Sequence, residues 1–453
     1  MNIIILAAGK GSRMRSSIPK VLHQIGGESM ISRIVGLASR LRPKKIFIVV
    51  GQHRKEIEDE ILLNYNKLPI VFVHQKSQLG TANAVKATTR FLTASSETLI
   101  LFGDVPLLSI STLRKLCKKD KNESFKLLTA YVNDPKGYGR ILRGPNNQIQ
   151  KCIEEKDANK KERFIKEINS GIMILSTRLL KKWIKKITNT NSQQEYYLLD
   201  MIPLAYQENI PVKSILASSE NEILGVNTLH QKAMVERIYQ SKLARKYAED
   251  GLEIADMNRF DVRGKLIFGC DVKVDINCVF IGKVTLADGV VIGPNCVIQN
   301  SFIGKNTVIK AHSSIENSSI GNESEIGPYS RIRSNCVIGD NCKIGNFVET
   351  KNIKFKQNSK ASHLAYLGDT EIGERVNIGA GTITCNYDGI NKHTTIVEDD
   401  VFIGSNSEIV APVTIKKGAK IGAGTTLTKD VPENSLATSR NKQNMIKNWK
   451  KKK

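Results

Sequence analysis

The sequence predicts an α/β domain of Rossmann-like type over residues 1–229, a linking helix over 230–250, and a parallel β-helix of hexapeptide repeats over 251–453. Three observations predict it. Short apolar runs alternate with longer mixed segments in the first half. One long amphipathic stretch follows. From about residue 265 an aliphatic residue returns every six positions. A chain of 453 residues is in any case too long for one compact domain and fits two or three.

In the first domain the candidate strands are Ile3–Leu6, Ile46–Val50, Ile70–Val73, Leu99–Phe102, Lys126–Val132 and Ile172–Leu175, with helical patterns at 29–41 and 81–92. This alternation argues for a largely parallel sheet. In the linker, Met234, Ile238, Leu243 and Tyr247 recur at helical spacing, and Gly251 stands where a helix would stop. A helix of about 20 residues would span ~30 Å and serve as a rigid connector. In the last domain Val397, Ile403, Ile409, Ile415, Ile421 and Leu427 are six apart without a slip, as are Ile320, Ile326, Ile332, Ile338 and Ile344. That period suits neither a helix nor a flat sheet. It suits short strands joined by tight corners, three faces to an 18-residue coil, with these side chains packed inward. Cys278 and Cys296 are expected to stack in adjacent coils. The stretches 346–366 and 383–396 break the period and are expected to loop out of the coil.

Composition narrows the class. Hydrophobic residues at 40% and charged residues at 25% exclude a mostly disordered chain. No run approaches the ~18 apolar residues of a membrane helix. The apolar start NIIILA runs straight into AAGKGSRM and reads as a first strand, not a signal peptide. No stable membrane association and a cytoplasmic location are therefore expected. The eight cysteines form no CxxC pair and no metal-type spacing, and read as small buried hydrophobes. The net charge of +24 raises nucleic acid as a partner. Its distribution argues against that: +16 over 1–229, +2 over 230–250, −1 over 251–439 and +7 from residue 440 onward. Lysine outnumbers arginine 48 to 20 and aromatics are only 6%, so the expected anions are small molecules and not a nucleic acid.

The chemistry-bearing motifs lie at strand ends. LAAGKGSRM (6–14) follows a strand, and its glycines let backbone amides approach phosphates. It matches neither GxGxxG nor the P-loop spacing. Arg13 and Lys20 supply charge for a triphosphate. Gly103-Asp104 ends another strand, where ligands gather in such sheets, and a carboxylate there suits a Mg²⁺ bridging phosphates.

With PKVLH (19–23), QLGTA (78–82), GDVPL (103–107), GYGR (137–140) and EINSG (167–171), this half resembles the sugar-1-phosphate nucleotidylyltransferases. Joined to the hexapeptide coil and IGAGTITCNYDG (378–389), nearly the whole chain is similar to the bifunctional glucosamine-1-phosphate N-acetyltransferase and N-acetylglucosamine-1-phosphate uridylyltransferase family. The resemblance implies a UTP site at Leu6, Ala7, Ala8, Gly9 and Lys20, and a uracil-reading segment at Gln75, Gly80 and Thr81. It implies Mg²⁺ ligands at Asp104 (after Gly103) and Asn227, and amino-sugar contacts at Gly139, Glu154 and Asn169. Phe102 departs from the tyrosine common before Gly-Asp. Bringing two anions together makes charge cancellation and alignment the central task, with no nucleophilic side chain required.

In the coil, His312 reads as structural. His363 differs, since it follows an interruption and has Lys351, Lys360 and Tyr366 near it in sequence. Imidazole suits removal of a proton from an amine that attacks a thioester. The resemblance of KASHLAYLGD implies that His363 is the general base. It further implies sugar-phosphate contacts at Arg333, Lys351, Tyr366, Asn377 and Lys392. Acetyl-CoA contacts are implied at Ala380, Asn386, Tyr387, Ser405, Ala423 and Arg440. Ser362 departs from the usual glycine. Such coils are implied to be left-handed and homotrimeric. Two rival readings stay open at this point: a non-catalytic regulatory subunit with the same domain pair, and a nucleotidyltransferase for another sugar.

Overall fold

A computed structural model describes all residues except 121–122, 145–146, 192, 440–442, 448 and 450–453. The chain folds as two units, Met1–Tyr239 and Gln240–Lys453.

The first unit is built on strands β1 (Asn2–Leu6), β2 (Lys45–Val50), β3 (Ile70–His74), β4 (Glu97–Phe102), β5 (Phe125–Tyr131), β6 (Gly139–Arg143), β7 (Ile149–Ile153), β8 (Glu167–Ser176) and β9 (Val212–Leu216). Their order along the sheet is β9-β5-β8-β4-β1-β2-β3, with β6 and β7 attached as a hairpin beside β8. β1 pairs in parallel with both β2 and β4. The parallel expectation fails at β8, which runs antiparallel to β4 and β5. The central strands β1, β2 and β4 are apolar on both sides because both faces are covered. Ile3, Ile5, Leu99 and Leu101 pack with helix α1 (Met30–Ser39) on one face. Ile4, Phe47 and Ile100 pack with α2 (Thr81–Thr88) and Trp183 on the other. Strands β6, β7 and β9, too short or polar to stand out by pattern, were not anticipated.

Helix α3 (Leu229–Glu249) occupies the predicted linker. It buries Val235, Gln240 and Ala244; of the expected stripe Met234 is exposed, while Leu243 and Tyr247 are partly buried against the core of the second unit. Glu236 accepts the Gly26 amide at 2.9 Å, and the Arg33 guanidinium lies 4.1 Å from the Tyr239 ring centroid. In the second unit, Gln240 donates to the Val262 carbonyl and accepts its amide, at 2.8 and 2.9 Å.

The second unit is a parallel β-helix. Among the described residues its strands form one sheet of eleven and one of fifteen. The larger sheet covers two faces because Cys278–Leu286 turns a corner, pairing with Val297–Gln299 at one end and Phe302–Ile303 at the other. Successive rungs pair at 17 or 18 residues: Lys343 with Lys360, Lys360 with Asn377, Phe402 with Lys420. The six-spaced isoleucines are buried. Cys278 and Cys296 are buried on adjacent rungs, whereas Cys270 is exposed.

One expected excursion is overturned. Segment 346–366 stays in the coil as strands Glu349–Phe355 and Lys360–His363, in register with the rungs on either side. The period was hidden because Thr350 and Ala361 take inward positions elsewhere held by isoleucine, and both are fully buried. The second excursion is shorter than expected. Ile383–Cys385 and Thr395–Val397 are strands, and the chain leaves the stack between them. There Asn377 pairs with Phe402, 25 positions on.

Candidate active sites, one in each unit

The first site forms where β1 and β4 end side by side. Leu6, Ala7, Ala8, Gly9, Arg13, Lys20, Gln75, Gly80, Thr81, Asp104 and Asn227 line one cavity of about 480 Å³. Gly103 holds the strand end beside it, its amide donating to the Leu6 carbonyl at 3.0 Å. Gly80 sits at φ 103°, and a Cβ there would lie 2.6 Å from the Tyr196 carbonyl oxygen, so only glycine fits that turn. Gln75 is buried and donates to Asn83 Oδ1 at 2.9 Å, which orients its amide at the cavity wall. Gln78, not anticipated, also lines the cavity and donates to the Ala8 carbonyl at 2.5 Å.

The charged groups converge. The Lys20 ammonium pairs with Asp104 and donates to Asn227 Oδ1 at 3.0 Å, while Arg13 donates to the same oxygen at 3.0 Å. Asp104 and Asn227 are hard oxygen donors of the kind Mg²⁺ takes, and their side chains already meet on one cation. No group of three or more His, Cys, Asp or Glu side chains placed to hold a metal occurs among the described residues. Two protein oxygens, with phosphate and water completing the shell, is the usual Mg²⁺ arrangement, so the residues present fit that ion.

Gly139, Glu154 and Asn169 do not line that cavity but are brought to one another. Gly139 pairs with Asn169 across β6 and β8, and a Cβ on Gly139 would lie 3.3 Å from Glu154 Oε1. Burial, then the nearby Asp157 charge, raises the Glu154 carboxyl above the usual glutamate range, with Arg140 opposing. Asn169 Oδ1 is buried without a partner among the described residues, an acceptor left for a ligand hydroxyl. Phe102 lines the cavity with its ring against Gly171, where φ is 78° and a Cβ would lie 2.6 Å from the ring.

The second site lies on the coil. Lys351 pairs with Gly368, and Glu349 with Tyr366, on adjoining rungs. Arg333 donates to Glu349 at 2.9 Å. The Lys351 ammonium is held below the usual lysine range, first by contact with the Lys392 ammonium and by partial desolvation; Arg333 adds to the effect and Asp369 opposes it. Three cations crowded this way favour an anion, and phosphate is a good fit. Asn377 is half-buried at the start of the next strand.

His363 ends strand Lys360–His363, is exposed, and pairs with Asn346. Ser362 keeps ordinary negative-φ strand backbone, so the serine causes no strain where glycine is usual. The Asn406 amide donates to the Ala380 carbonyl at 2.7 Å, and the Gly424 amide to the Ser405 carbonyl at 2.8 Å. Ala380, Ser405 and Ala423 therefore stand at one corner of three successive rungs, a track for an elongated ligand. Asn386 is buried and Tyr387 exposed where the chain leaves the coil. Arg440 lies outside the described residues.

Comparison with known proteins agrees with both halves. A MobA-like NTP transferase domain matches residues 3–168, a GMPPB C-terminal domain 262–358, and a hexapeptide repeat of succinyl-transferase 394–429. The bifunctional protein GlmU of Bordetella parapertussis is 46% identical over all of this chain and 99% of its own length. That of Cupriavidus pinatubonensis is 46% identical over all of this chain and 98% of its own. That of Nitrosomonas europaea is 45% identical over the same shares. The chain belongs to the family of the bifunctional protein GlmU.

Proposed function

We propose that this bifunctional transferase acetylates glucosamine 1-phosphate with acetyl-CoA and then transfers uridylyl from UTP to N-acetylglucosamine 1-phosphate. The products are UDP-N-acetylglucosamine and pyrophosphate. Uridylylation is assigned to residues 1–229 and acetylation to 251–453, with 230–250 as the link between them. The observation that carries the reading is that two anion-attracting sites stand in one chain, one in each unit.

In the first site the backbone of Leu6, Ala7, Ala8 and Gly9 lies against the triphosphate, and Gln75, Gly80 and Thr81 against the uracil. Arg13 and Lys20 turn from Asn227 and Asp104 to the phosphates, where their charge offsets the repulsion between two anions. Asp104 and Asn227 hold Mg²⁺, which when bound neutralises phosphate charge. Gly139, Glu154 and Asn169 align the sugar so that its phosphate oxygen attacks the α-phosphorus and pyrophosphate leaves. In the second site Arg333, Lys351 and Lys392 take the sugar phosphate, with Tyr366 and Asn377 beside it. His363 removes the proton from the amine as it attacks the thioester carbonyl; the C–S bond then breaks and coenzyme A leaves as its thiolate, which takes up a proton. Ala380, Asn386, Tyr387, Ser405, Ala423 and Arg440 hold acetyl-CoA. The working form is a cytoplasmic homotrimer; no helix among the described residues is long and apolar enough to cross a membrane. A regulatory subunit would have no use for so complete a set of polar groups in both sites.

The test incubates the protein with glucosamine 1-phosphate, acetyl-CoA, UTP and Mg²⁺. UDP-N-acetylglucosamine is the expected product, and its absence would sink the reading.

A further inference from the structure

One corner of the coil carries a column of side-chain amides. Asn300 donates to Asn317 at 3.2 Å and Asn317 to Ser334 at 3.0 Å, each bond running from one rung to the next. Further along the coil Asn352 donates to Asp369 Oδ1 at 2.7 Å in the same sense. At Asp369 the direction reverses. A carboxylate only accepts, so the residue on the following rung, Asn386, must donate back, and it does so to Oδ2. Asp369 is 8% exposed, as is Asn386. Asp369 has φ 46°, a conformation in which Asp, Asn and Gly are at home. The space beside the pair is kept open by Gly368, where a Cβ would lie 2.5 Å from the Tyr366 hydroxyl and 2.9 Å from Asn386 Nδ2.

We infer that Asp369 is a positioning residue for acetyl transfer: it commits Asn386 Nδ2 to the coil and so presents Asn386 Oδ1 as a fixed acceptor toward acetyl-CoA. The inference rests on the functional reading above. An asparagine at 369 would carry the column onward in its original direction, donating to Asn386 and turning that amide over, so a donor would face the ligand in place of the acceptor.

The experiment measures acetylation steady-state kinetics on the full chain for Asp369→Asn, Asp369→Gly, Asn386→Ala and the double variant Asp369→Asn/Asn386→Ala. Glycine suits the left-handed backbone and removes the carboxylate without strain, which supplies a second folded variant. Both Asp369 variants should lower kcat/KM for acetyl-CoA about 10- to 100-fold. The uridylylation rate should stay at its wild-type value. The double variant should be no worse than Asn386→Ala alone, because the carboxylate acts through that amide. Losses that multiply in the double variant, or folded Asp369 variants with wild-type kinetics, would overturn the inference. A wild-type chain that fails to acetylate glucosamine 1-phosphate would overturn the functional reading instead.

Discussion

Glu154, proposed to align the sugar, loads the fold with a cost. Its folded carboxyl titrates above the ordinary range near 4.5 because burial and Asp157 disfavour the charge. A carboxyl raised on folding contributes most below the unfolded value, and that contribution is lost as pH rises through the folded one. Glu154→Gln should therefore raise the melting temperature of the first unit at pH 7–8, with the gain vanishing below about pH 4.5, where both side chains are neutral. The same variant should slow uridylylation, a stability-for-function exchange read by paired thermal melts and rate measurements. At the positions proposed for each reaction the two chemistries should separate. His363→Ala is expected to lower acetylation by ~10²–10⁴ and leave uridylylation intact. Asp104→Ala should do the reverse, and loss of both activities from either folded variant would refute the two-site assignment. In the sequence Asp104 and the 6–14 loop stand out by local pattern, a strand-end carboxylate and closely spaced glycines, whereas the roles proposed for Glu154 and His363 come from the family resemblance. Asp369 was not legible there, since its meaning depends on amides 17 residues away on either side.

At the scale of elements, the coil announced itself through its period, and misled where the period was filled by smaller residues. Thr350 and Ala361 point inward as the isoleucines do, yet a hydrophobic pattern search passes over them. The first unit was read less completely: an alternation of apolar runs finds two-faced central strands, while hairpin β6–β7 and edge strand β9 carry too little apolar sequence. The coil's corners supply a prediction of their own. Asn358 sits at φ 60° on an exposed corner. Asn358→Ala should destabilise the second unit by roughly 1 kcal/mol, because alanine tolerates that conformation poorly. Asn358→Gly should be close to neutral, and denaturant melts followed by circular dichroism distinguish the two. An Ile320→Ala change, emptying a fully buried inward position, should cost more, about 2–5 kcal/mol.

For the molecule as a whole, the charge of +24 lies mainly on the first unit and the tail. That placement matches substrates carrying phosphates, with an almost neutral coil between. Assignment of the two reactions to separate sites predicts complementation. His363→Ala and Asp104→Ala proteins, each unable to make UDP-N-acetylglucosamine alone, should make it when mixed, because each supplies the step the other lacks. A mixture no more active than its parts would show that the acetylated intermediate does not pass through solution. The architecture of the second unit has a different consequence. Each rung hydrogen-bonds only to the rungs before and after it, so its tolerance is compartmental. A fault in one layer reaches two neighbours and stops. This is why 25 residues can separate Asn377 from Phe402 without disturbing the register on either side. The segment between them, which carries Asn386, Tyr387 and Lys392, can change in length and sequence while the stack that anchors it stays unchanged.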